Sequence, residues 1–394
     1  MSQITHISRM DTLGGIERLL QAFVNVPDPE LKHALFLTGK KIHPSLRSDN
    51  SAIPIHYSRY VSGIYIPKIL RRFHRDPALN LLHPDVISFW GYPTTDHDQM
   101  RFPSGARLIY QEHGSCWDME VTDRKKHFLN RMNGITCCSL AAKRVLELRW
   151  GCTTGISVVQ NPVLPHALPA QTHPKTLQKN HPVTLGTAGR LVPYKATVLA
   201  LLALKELLNN GIDCRLRIAG TGALLQPLKQ KAVELGIASQ ADFAGAVTHM
   251  PAFYDGIDLL LLPSIREPLG LVAVEAMASG CPVVATAVDG IPEAVLNGET
   301  GFCIQPELTI KEYEQLTGAE FGGKYPELVY DPTTDALRSP RAPNPVKLAK
   351  AIQSLIENPT LYKTMSQTAI DTARFNFSFD AYYAALKSVL IKSS

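Results

Sequence analysis

The feature that most constrains this chain is an alternation of short apolar runs with longer helical patterns. Helical patterns such as those at 15–23 and 141–150 separate the apolar runs of the first half. Strands that alternate with helices favour a mostly parallel sheet covered on both faces. The apolar runs of strand length lie near 3–7 and at 33–39, 85–92, 106–114, 134–139 and 156–162.

The same alternation begins again after a segment rich in Pro, His, Gln and Thr at 162–182, which we interpret as a linker. We therefore predict an α/β chain of two doubly wound, Rossmann-like domains that face each other across a cleft. Ligands bind at the carboxyl ends of the strands in such domains. The second series of apolar runs comprises 183–190, 214–222, 241–247, 258–264 and 282–288.

Two later segments depart from this pattern. Residues 307–345 have mixed charge and a group of prolines, and we interpret them as a long surface insertion. From Phe379 onward, apolar residues return at the spacing of an amphipathic helix. The predicted domains are 1–165 and 166–376, followed by a terminal helix at 377–394.

The amino terminus and the cysteines favour a cytoplasmic protein. The first residues lack the apolar core and the cleavage site of a secretory signal. The seven cysteines are scattered, without a CxxC or Cys/His metal pattern, which fits reduced thiols. The apolar stretch 270–290 contains Glu275, Pro282 and several glycines, so it is better explained by a buried helix and strand than by a membrane span.

Positive charge is concentrated in the first half. Residues 1–180 contain 22 Lys and Arg against 14 Asp and Glu, whereas the remainder contains 18 against 21. This asymmetry suggests an anionic partner, such as a membrane surface or an acidic acceptor, although solvated faces are often basic too. The segment 56–76 combines basic with apolar residues. We predict there a helix that either lies on an anionic membrane or binds an acidic acceptor directly.

The strongest chemical motif occupies 264–294, where Glu267 and Glu275 flank Pro268, Leu269, Gly270 and Leu271. This pattern predicts a loop that turns into a helix, with Gly270 allowing close approach of a ligand. The free amides and partial positive charge of a helix start attract phosphate. Glu275 would accept hydrogen bonds from ribose hydroxyls, and Glu267 would face a sugar.

Two further motifs follow strands of the second half. Arg190 and Lys195 lie five residues apart and can converge on one diphosphate, although this motif taken alone is explained somewhat better by a solvated strand-to-helix loop. Gly220 and Gly222 are compatible with a nucleoside or with a plain tight turn. A dinucleotide fingerprint would need glycine at 225, where Leu225 stands.

The first half offers weaker candidates. Gly14 and Gly15 precede a predicted helix and could hold a phosphate or an acceptor near backbone amides. His113 ends a strand and could bond a sugar hydroxyl; tight-turn glycines and a structural histidine are the alternatives. The run Asp96–Asp98 only imitates a DxD metal motif, so we predict no metal site. Nucleophile-elbow, Walker and HExxH motifs are missing.

Together these motifs resemble the family-4 retaining glycosyltransferases of the GT-B fold (glycosyl transferases group 1). The resemblance is close over 183–305 and loose before it. The stretch 267–286 resembles the family's paired-glutamate motif, and 188–195 resembles its Arg/Lys loop, with Ala196 where the family often has Gly. Residues 218–225 resemble its glycine pair. Gly15 and His113 match its amino-terminal glycine and cleft histidine.

The resemblance implies transfer from a nucleotide-diphosphate sugar, with retention of configuration, no essential metal and no cofactor beyond this co-substrate. On that basis Arg190 and Lys195 would stabilise the leaving diphosphate, helped by the amides at 269–271. Glu275 would anchor the ribose and Glu267 the donor sugar. His113 would bond the sugar or its acceptor. The terminal helix would cross back onto the first domain.

The expected activity is transfer of a hexose, with UDP as the most expected carrier, to a glycan or lipid-linked acceptor. The common roles of family members suggest the assembly of lipopolysaccharide or another bacterial surface polysaccharide. The chain would be cytoplasmic, with possible peripheral contact to the inner face of the membrane, and no nucleic acid partner is expected. The alternatives are a sugar-nucleotide epimerase, a phosphorylase, or an inactive member that serves as a binding scaffold.

Overall fold

The computed structural model describes residues 1–12, 14–46, 53–91, 100–169, 172–178 and 181–391. Contacts between Cα atoms divide the chain into two compact units. The first unit comprises Met1–Gln160 and Tyr382–Ser394, and the second comprises Asn161–Ala381. Within the described ranges, we find no helix whose length and apolar character would let it span a membrane.

The first unit is built on a seven-stranded parallel sheet with the strand order β3-β2-β1-β6-β7-β8-β9. All five residues of β6 are buried, as expected of a central parallel strand that is covered on both faces. A small hairpin, β4 and β5, lies outside this sheet. The strands are β1 (Ser2–Ser8), β2 (Leu31–Leu37), β3 (Ile55–Tyr57), β4 (Tyr60–Val61), β5 (Ile64–Tyr65), β6 (Val86–Trp90), β7 (Arg107–Glu112), β8 (Gly134–Cys137) and β9 (Ile156–Val158).

The helices of the first unit begin at residues that suit a helix start. The hydroxyl of Thr122 accepts a hydrogen bond from Lys125 N at 3.4 Å, and that of Ser139 accepts one from Ala142 N at 3.0 Å. These helices are α1 (Gly15–Val24), α2 (Arg71–Leu81), α3 (Asp123–Asn130) and α4 (Leu140–Leu148).

The prediction of a helix over 56–76 is wrong for most of its length. β3, the β4–β5 hairpin and a turn occupy the segment up to residue 70, and α2 begins only at Arg71. Ser62 and Gly63 both have positive φ angles, of 48° and 81°, which turn the chain between β4 and β5. Two such residues in succession form a hairpin turn and interrupt a helix.

The second unit contains a six-stranded parallel sheet in the order β12-β11-β10-β13-β14-β15. This is the doubly wound order in which the first strand lies near the centre and the chain reverses direction beside it. The prediction of two parallel-sheet α/β domains is therefore confirmed. The strands are β10 (Val183–Ala188), β11 (Cys214–Ala219), β12 (Ala241–Gly245), β13 (Leu259–Leu262), β14 (Val283–Thr286) and β15 (Gly301–Ile304).

Helices surround this sheet, and two short antiparallel pairs follow it. β16 (Leu308–Thr309) pairs with β19 (Arg341–Ala342), and β17 (Val329–Asp331) pairs with β18 (Ala336–Arg338). The helices are α5 (Val198–Asn209), α6 (Leu225–Glu234), α7 (Met250–Asp255), α8 (Leu271–Ala278), α9 (Ile291–Ala294), α10 (Ile310–Thr317), α11 (Pro345–Ile356) and α12 (Pro359–Asn376).

The interpretation of 307–345 as a surface insertion is wrong. Tyr313, Phe321 and Ala342 are fully buried and belong to the main apolar cluster of the second unit. Val329 is buried in the neighbouring cluster. Although the segment has few apolar residues for its length, several of them help to fill the core, so the segment has a structural role.

The last helix, α13 (Phe379–Ile391), packs against the first unit from Tyr382 onward. Lys387 Nζ lies 2.6 Å from Asp28 Oδ2 and 2.5 Å from Glu30 Oε2. The hydroxyl of Tyr383 donates to Asp28 Oδ2 at 2.8 Å. The hydrogen bond from Lys387 lowers the pKa of Asp28 to about 2, so this attachment persists at acidic pH.

Two histidines and a tryptophan of the first unit form a hydrogen-bonded group in which His6 and Trp90 are buried and His33 is half-buried. Trp90 Nε1 donates to His6 Nδ1 at 3.0 Å, so the His6 proton lies on Nε2 and is donated to His33 Nδ1, also at 3.0 Å. Burial lowers the pKa of His6 well below its ordinary value and that of His33 to about 4. Both rings are therefore neutral in the folded protein at neutral pH.

This group predicts acid destabilisation of the first unit. Unfolded histidine has a pKa of about 6.5. Between pH 6.5 and 4 the unfolded chain therefore binds more protons, and stability is lost as the pH falls. We expect His33 to cost about 1–2 kcal/mol of unfolding free energy at about pH 5. The variant His33→Gln should flatten this dependence.

Urea titrations monitored by tryptophan fluorescence can measure this effect, because Trp90, Trp117 and Trp150 all lie in the first unit. The matched control is His127→Gln, since His127 is an exposed histidine on α3. Equal pH dependence in wild type and His33→Gln would contradict the assignment.

Glycines allow the loops after β10 and β11 to cross in contact. A Cβ atom on Gly220 would lie 1.9 Å from the carbonyl oxygen of Gly189, and one on Gly222 would lie 2.4 Å from that of Leu191. Both glycines have positive φ angles, of 150° and 156°. Other residues would combine a steric clash with backbone strain.

We predict that Gly220→Ala destabilises the second unit by more than about 2 kcal/mol, because overpacking adds to the strain. The control is Gly236→Ala, where φ is 68° and the space is open, so only strain of about 1 kcal/mol is expected. Calorimetric unfolding would measure both variants. Equal losses in the two would show that the loop crossing tolerates a side chain.

Candidate functional site

The carboxyl edge of the second sheet gathers most of the predicted residues. Backbone hydrogen bonds hold its loops together: Leu191 N donates to Thr221 O at 2.9 Å, and Ile265 N donates to Tyr194 O at 2.8 Å. Parallel strands place their carboxyl ends at one edge, where doubly wound domains bind ligands. The loops after β10, β11 and β13 therefore present their side chains to a common space.

A cavity of about 360 Å³ lies at this edge. One part of its wall is polar and contains Arg190 and Glu275, whereas Val247, Met250 and Val272 make another part apolar. Backbone of the Gly189 and Gly220 loops completes the lining. A smaller cavity shares Ala188–Arg190 with the first and adds Lys195, Thr197 and Ser264. The combination suits a ligand with a flat apolar part, hydroxyl groups and an anionic end.

Glu275 accepts a hydrogen bond from a buried tyrosine. The hydroxyl of Tyr254 donates to Glu275 Oε2 at 2.8 Å. Burial, together with the neighbouring carboxylate, raises the pKa of Tyr254 well above its ordinary value, so the phenol stays protonated as a donor. The tyrosine fixes the orientation of Glu275 where it lines the cavity. Sequence reasoning missed Tyr254, which is 21 residues from Glu275 in the chain.

The two predicted basic residues have different surroundings. Lys195 Nζ forms an ion pair with Glu267, and the side chains are only 16% and 12% exposed. Arg190 is exposed and donates from Nη2 to the hydroxyl of Tyr194 at 2.6 Å. The guanidinium of Arg266 lies 5.8 Å from the same tyrosine ring. The structure thus joins Lys195 to Glu267 directly and places the guanidinium groups of Arg190 and Arg266 near the Tyr194 ring.

A buried aspartate positions Glu267. Asp289 Oδ2 accepts a hydrogen bond from Glu267 N at 2.9 Å, and its Oδ1 accepts one from Tyr330 N at 2.8 Å. Gly290 N donates back to Glu267 O at 3.2 Å. Sequence reasoning assigned Asp289 no role, although its place directly after a buried apolar strand, followed by glycine, could have indicated one.

The loop between the two glutamates ends in a helix start, as predicted. Gly270 has a φ of 90° and caps α8, which begins at Leu271. The first amides of a helix have no partner within it, so those of Leu271 and its neighbours suit an anion. Leu269 is buried, and Pro268 has no N–H to donate. A Cβ atom on Gly290 would lie 2.0 Å from Pro268 O, which shows how closely these loops pack.

The first-unit candidates lie at the carboxyl edge of their own sheet. Gly15 begins α1 with open space around its Cα, whereas a Cβ atom on Gly14 would lie 2.5 Å from Glu17 Oε2. The His113 ring stacks on Trp90 with 5.6 Å between centroids and 19° between planes. Asp96–Asp98 lie outside the described residues.

Glu112 fixes the turn that follows His113. Its buried carboxylate accepts hydrogen bonds from Gly114 N at 2.5 Å, from the hydroxyl of Tyr110 at 2.7 Å and from Cys116 N at 3.2 Å. Gly114 adopts a φ of 108° at this turn. Glu112 therefore sets the backbone that directs His113, a role that nothing in the local sequence pattern indicated.

Comparison with known proteins identifies the fold and relates part of the chain to a family model. Residues 170–316 match the family model described as "Glycosyl transferases group 1". The D-inositol 3-phosphate glycosyltransferase of Corynebacterium efficiens is 36% identical over 132 residues, which are 32% of this chain and 31% of the relative. That of Rhodococcus erythropolis is 36% identical over 165 residues, 39% of this chain and 35% of the relative. The matches thus span about a third of the curated relatives' length.

Solved structures resemble the whole chain. Anabaena Alr3699/HepE in complex with UDP has a TM-score of 0.72 at 18% identity, with 98% of this chain and 99% of that chain covered. A glycosyltransferase from Rickettsia africae has a TM-score of 0.74 at 15% identity, covering 100% and 99%. Both coverages are nearly complete, which shows that the two units together have the GT-B fold. The family match itself falls within the second unit, at residues 170–316.

Proposed function

We propose that this protein is a retaining glycosyltransferase. It moves a hexose from a nucleotide-diphosphate sugar, UDP being the expected carrier, to a hydroxyl of a glycan or lipid-linked acceptor. The observation that carries this proposal is the cavity with Arg190 and Glu275 in its polar wall and Val247, Met250 and Val272 in its apolar wall. Such a cavity matches the hydroxyls, the charge and the flat base of a nucleotide.

Each part of the donor has a partner among these residues. A base would lie against the apolar wall, and ribose hydroxyls would donate to the carboxylate of Glu275, which also accepts a hydrogen bond from the Tyr254 hydroxyl. The diphosphate would extend toward Arg190, Lys195 and the start of α8. Glu267 pairs with Lys195 and would bind the hydroxyls of the donor sugar next to the leaving diphosphate.

Arg190, Lys195 and the helix start would stabilise the diphosphate as its negative charge grows in the transition state. A metal ion often performs this task, so we propose that the enzyme needs neither a metal nor a cofactor besides its co-substrate. Among the described residues, no group of three or more His, Cys, Asp or Glu is arranged as a metal site. Losing one cationic contact should cost about 2.7–4 kcal/mol of activation free energy, as for oxyanion-hole donors.

Two observations bear on the acceptor side of the proposal. One similar structure is a lipopolysaccharide outer core galactosyltransferase, WaaB, with a TM-score of 0.69 at 16% identity. Exposed apolar residues such as Ile64, Ile69 and Phe73 lie beside the basic residues of α2. We propose a role in bacterial surface polysaccharide assembly, in the cytoplasm, with α2 and the preceding loop contacting the inner face of the membrane.

Binding of the donor can be tested by thermal shift with UDP, GDP, ADP, CMP and NAD, with and without EDTA. We expect one nucleoside diphosphate, UDP first, to raise the melting temperature by about 5 °C when present at about 100 times its Kd. EDTA should have no effect. Lys195→Ala should abolish most of the shift, whereas Lys205→Ala, on α5, should not. If no nucleotide stabilises the protein, a phosphorylase or a non-catalytic binding role replaces the proposal.

The stereochemistry can be tested with UDP-α-glucose in the absence of an acceptor, where water takes its place. Retention predicts that the first glucose released is the α anomer, observed by proton NMR before mutarotation. Lys195→Ala should slow this release about 100- to 1000-fold. Initial release of the β anomer would contradict a retaining mechanism. Conversion of UDP-α-glucose to another UDP-sugar without net hydrolysis would indicate an epimerase.

A further inference from the structure

The first unit contains a cavity of about 770 Å³ that is lined by an excess of cations. It is larger than the cavity at the edge of the second sheet. One carboxylate, Asp76, and one apolar side chain, Ile69, also contribute. The five cations are Lys68, Arg71, Arg72, Arg75 and Arg101.

Two of the arginines are buried and held in fixed positions. Arg71 is 6% exposed and Arg75 is 4% exposed, although arginine is almost never buried without partners. Arg71 Nε donates to Ile66 O at 3.1 Å, and its guanidinium lies 5.0 Å from the centre of the Tyr65 ring. Arg75 Nε donates to Asp76 Oδ1 at 3.0 Å. These contacts orient both guanidinium groups before any ligand arrives, which lowers the entropic cost of binding.

The two buried arginines lie near the carboxyl edge of the first sheet, where ligand sites are expected. Arg71 and Arg75 also line a small neighbouring cavity together with Ile7, Phe36 and Thr38. Ile7 and Phe36 are near the carboxyl ends of β1 and β2, and Thr38 directly follows β2. Ligands of doubly wound sheets bind at this edge.

The charge of the lining selects the kind of ligand. The lining has five cations and only one carboxylate. The cations repel one another at close range, and an anion bound among them would relieve this repulsion. Arginine offers a planar fork of donors that matches the oxygens of a phosphate group. A phosphate or diphosphate is therefore favoured over a neutral sugar.

We propose that this cavity binds a phosphate group carried by the acceptor, so that the substrate class is a phosphorylated acceptor. The assignment to an acceptor rests on the proposed transferase function. The phosphate could belong to a soluble phosphorylated sugar or to a lipid. Ile64, Ile69 and Phe73, which are 73%, 79% and 65% exposed, offer apolar surface to a lipid chain nearby.

The first arm of the test measures binding of inorganic diphosphate by titration calorimetry, with saturating UDP present to occupy the other phosphate site. The variant is the double substitution Arg72→Ala with Arg101→Ala, since both side chains are exposed and their loss should spare the fold. We expect binding to weaken about tenfold or more. The control, Lys32→Ala with Lys126→Ala, removes the same charge elsewhere in the first unit and should bind as wild type does.

The second arm measures co-flotation with phosphatidylcholine vesicles that contain or lack phosphatidic acid. Binding of diphosphate alone, lost in the double variant, supports the proposal with a soluble acceptor. Binding of phosphatidic acid vesicles alone, lost in the double variant, supports it with a lipid-borne acceptor. The proposal is overturned if wild type binds neither probe, or if the double variant binds as well as the control.

The UDP thermal shift, measured on the same proteins, separates this proposal from the proposed function. We expect the double variant to keep the full UDP shift, because its changes lie in the first unit. A protein that binds diphosphate through Arg72 and Arg101 but responds to no nucleotide would retain the anion site and overturn the transferase. A protein that shows a UDP shift but binds no phosphate through Arg72 and Arg101 would support the transferase and overturn the phosphate site.

Discussion

The buried carboxylate of Asp289 is the constraint on which the geometry of the donor side depends. A buried charge is costly unless hydrogen bonds compensate it, and here two backbone amides from segments far apart in the sequence do so. One belongs to Glu267 and the other to Tyr330 in β17. Because Glu267 is fixed in this way, its partner Lys195 is fixed as well. A single carboxylate thus aligns the loops after β10 and β13 with the segment near 330.

This dependence explains why residues 307–345 are part of the working structure. β17 supplies the second amide to Asp289, and its own neighbours are buried in the core of the second unit. Changes that loosen this segment would alter the position of Glu267, although no residue of 307–345 lines either cavity of the donor side. Mechanical support and chemical contact are therefore supplied by different parts of the chain.

Much of the fold could be predicted from the sequence, because parallel strands buried on both faces appear as continuous apolar runs. β13 and β14 are fully buried and were predicted at the right places. The predicted Arg190, Gly220 and Glu275 line one cavity, because loops that follow neighbouring parallel strands share an edge. The helix predicted over 56–76 was wrong because composition alone does not register the Ser62–Gly63 turn.

The side chains that orient the site could not be predicted in the same way. The partner pairs Tyr254–Glu275, Asp289–Glu267 and Lys195–Glu267 are separated by 21, 22 and 72 residues. Local patterns identify a strand or a helix start, but they carry no information on which buried polar groups meet after folding. Such pairs arise because each buried donor or acceptor must find a partner within the folded chain.

The return of α13 to the first unit has a consequence for how the protein is made. Residues 382–391 leave the ribosome only after the whole of 161–381, yet Tyr382, Leu386 and Leu390 are buried and Lys387 contacts Asp28. The first unit can therefore complete its packing only after every residue of the second unit has been made. Although domains generally fold in the order of synthesis, the unit that is begun first here is the one finished last.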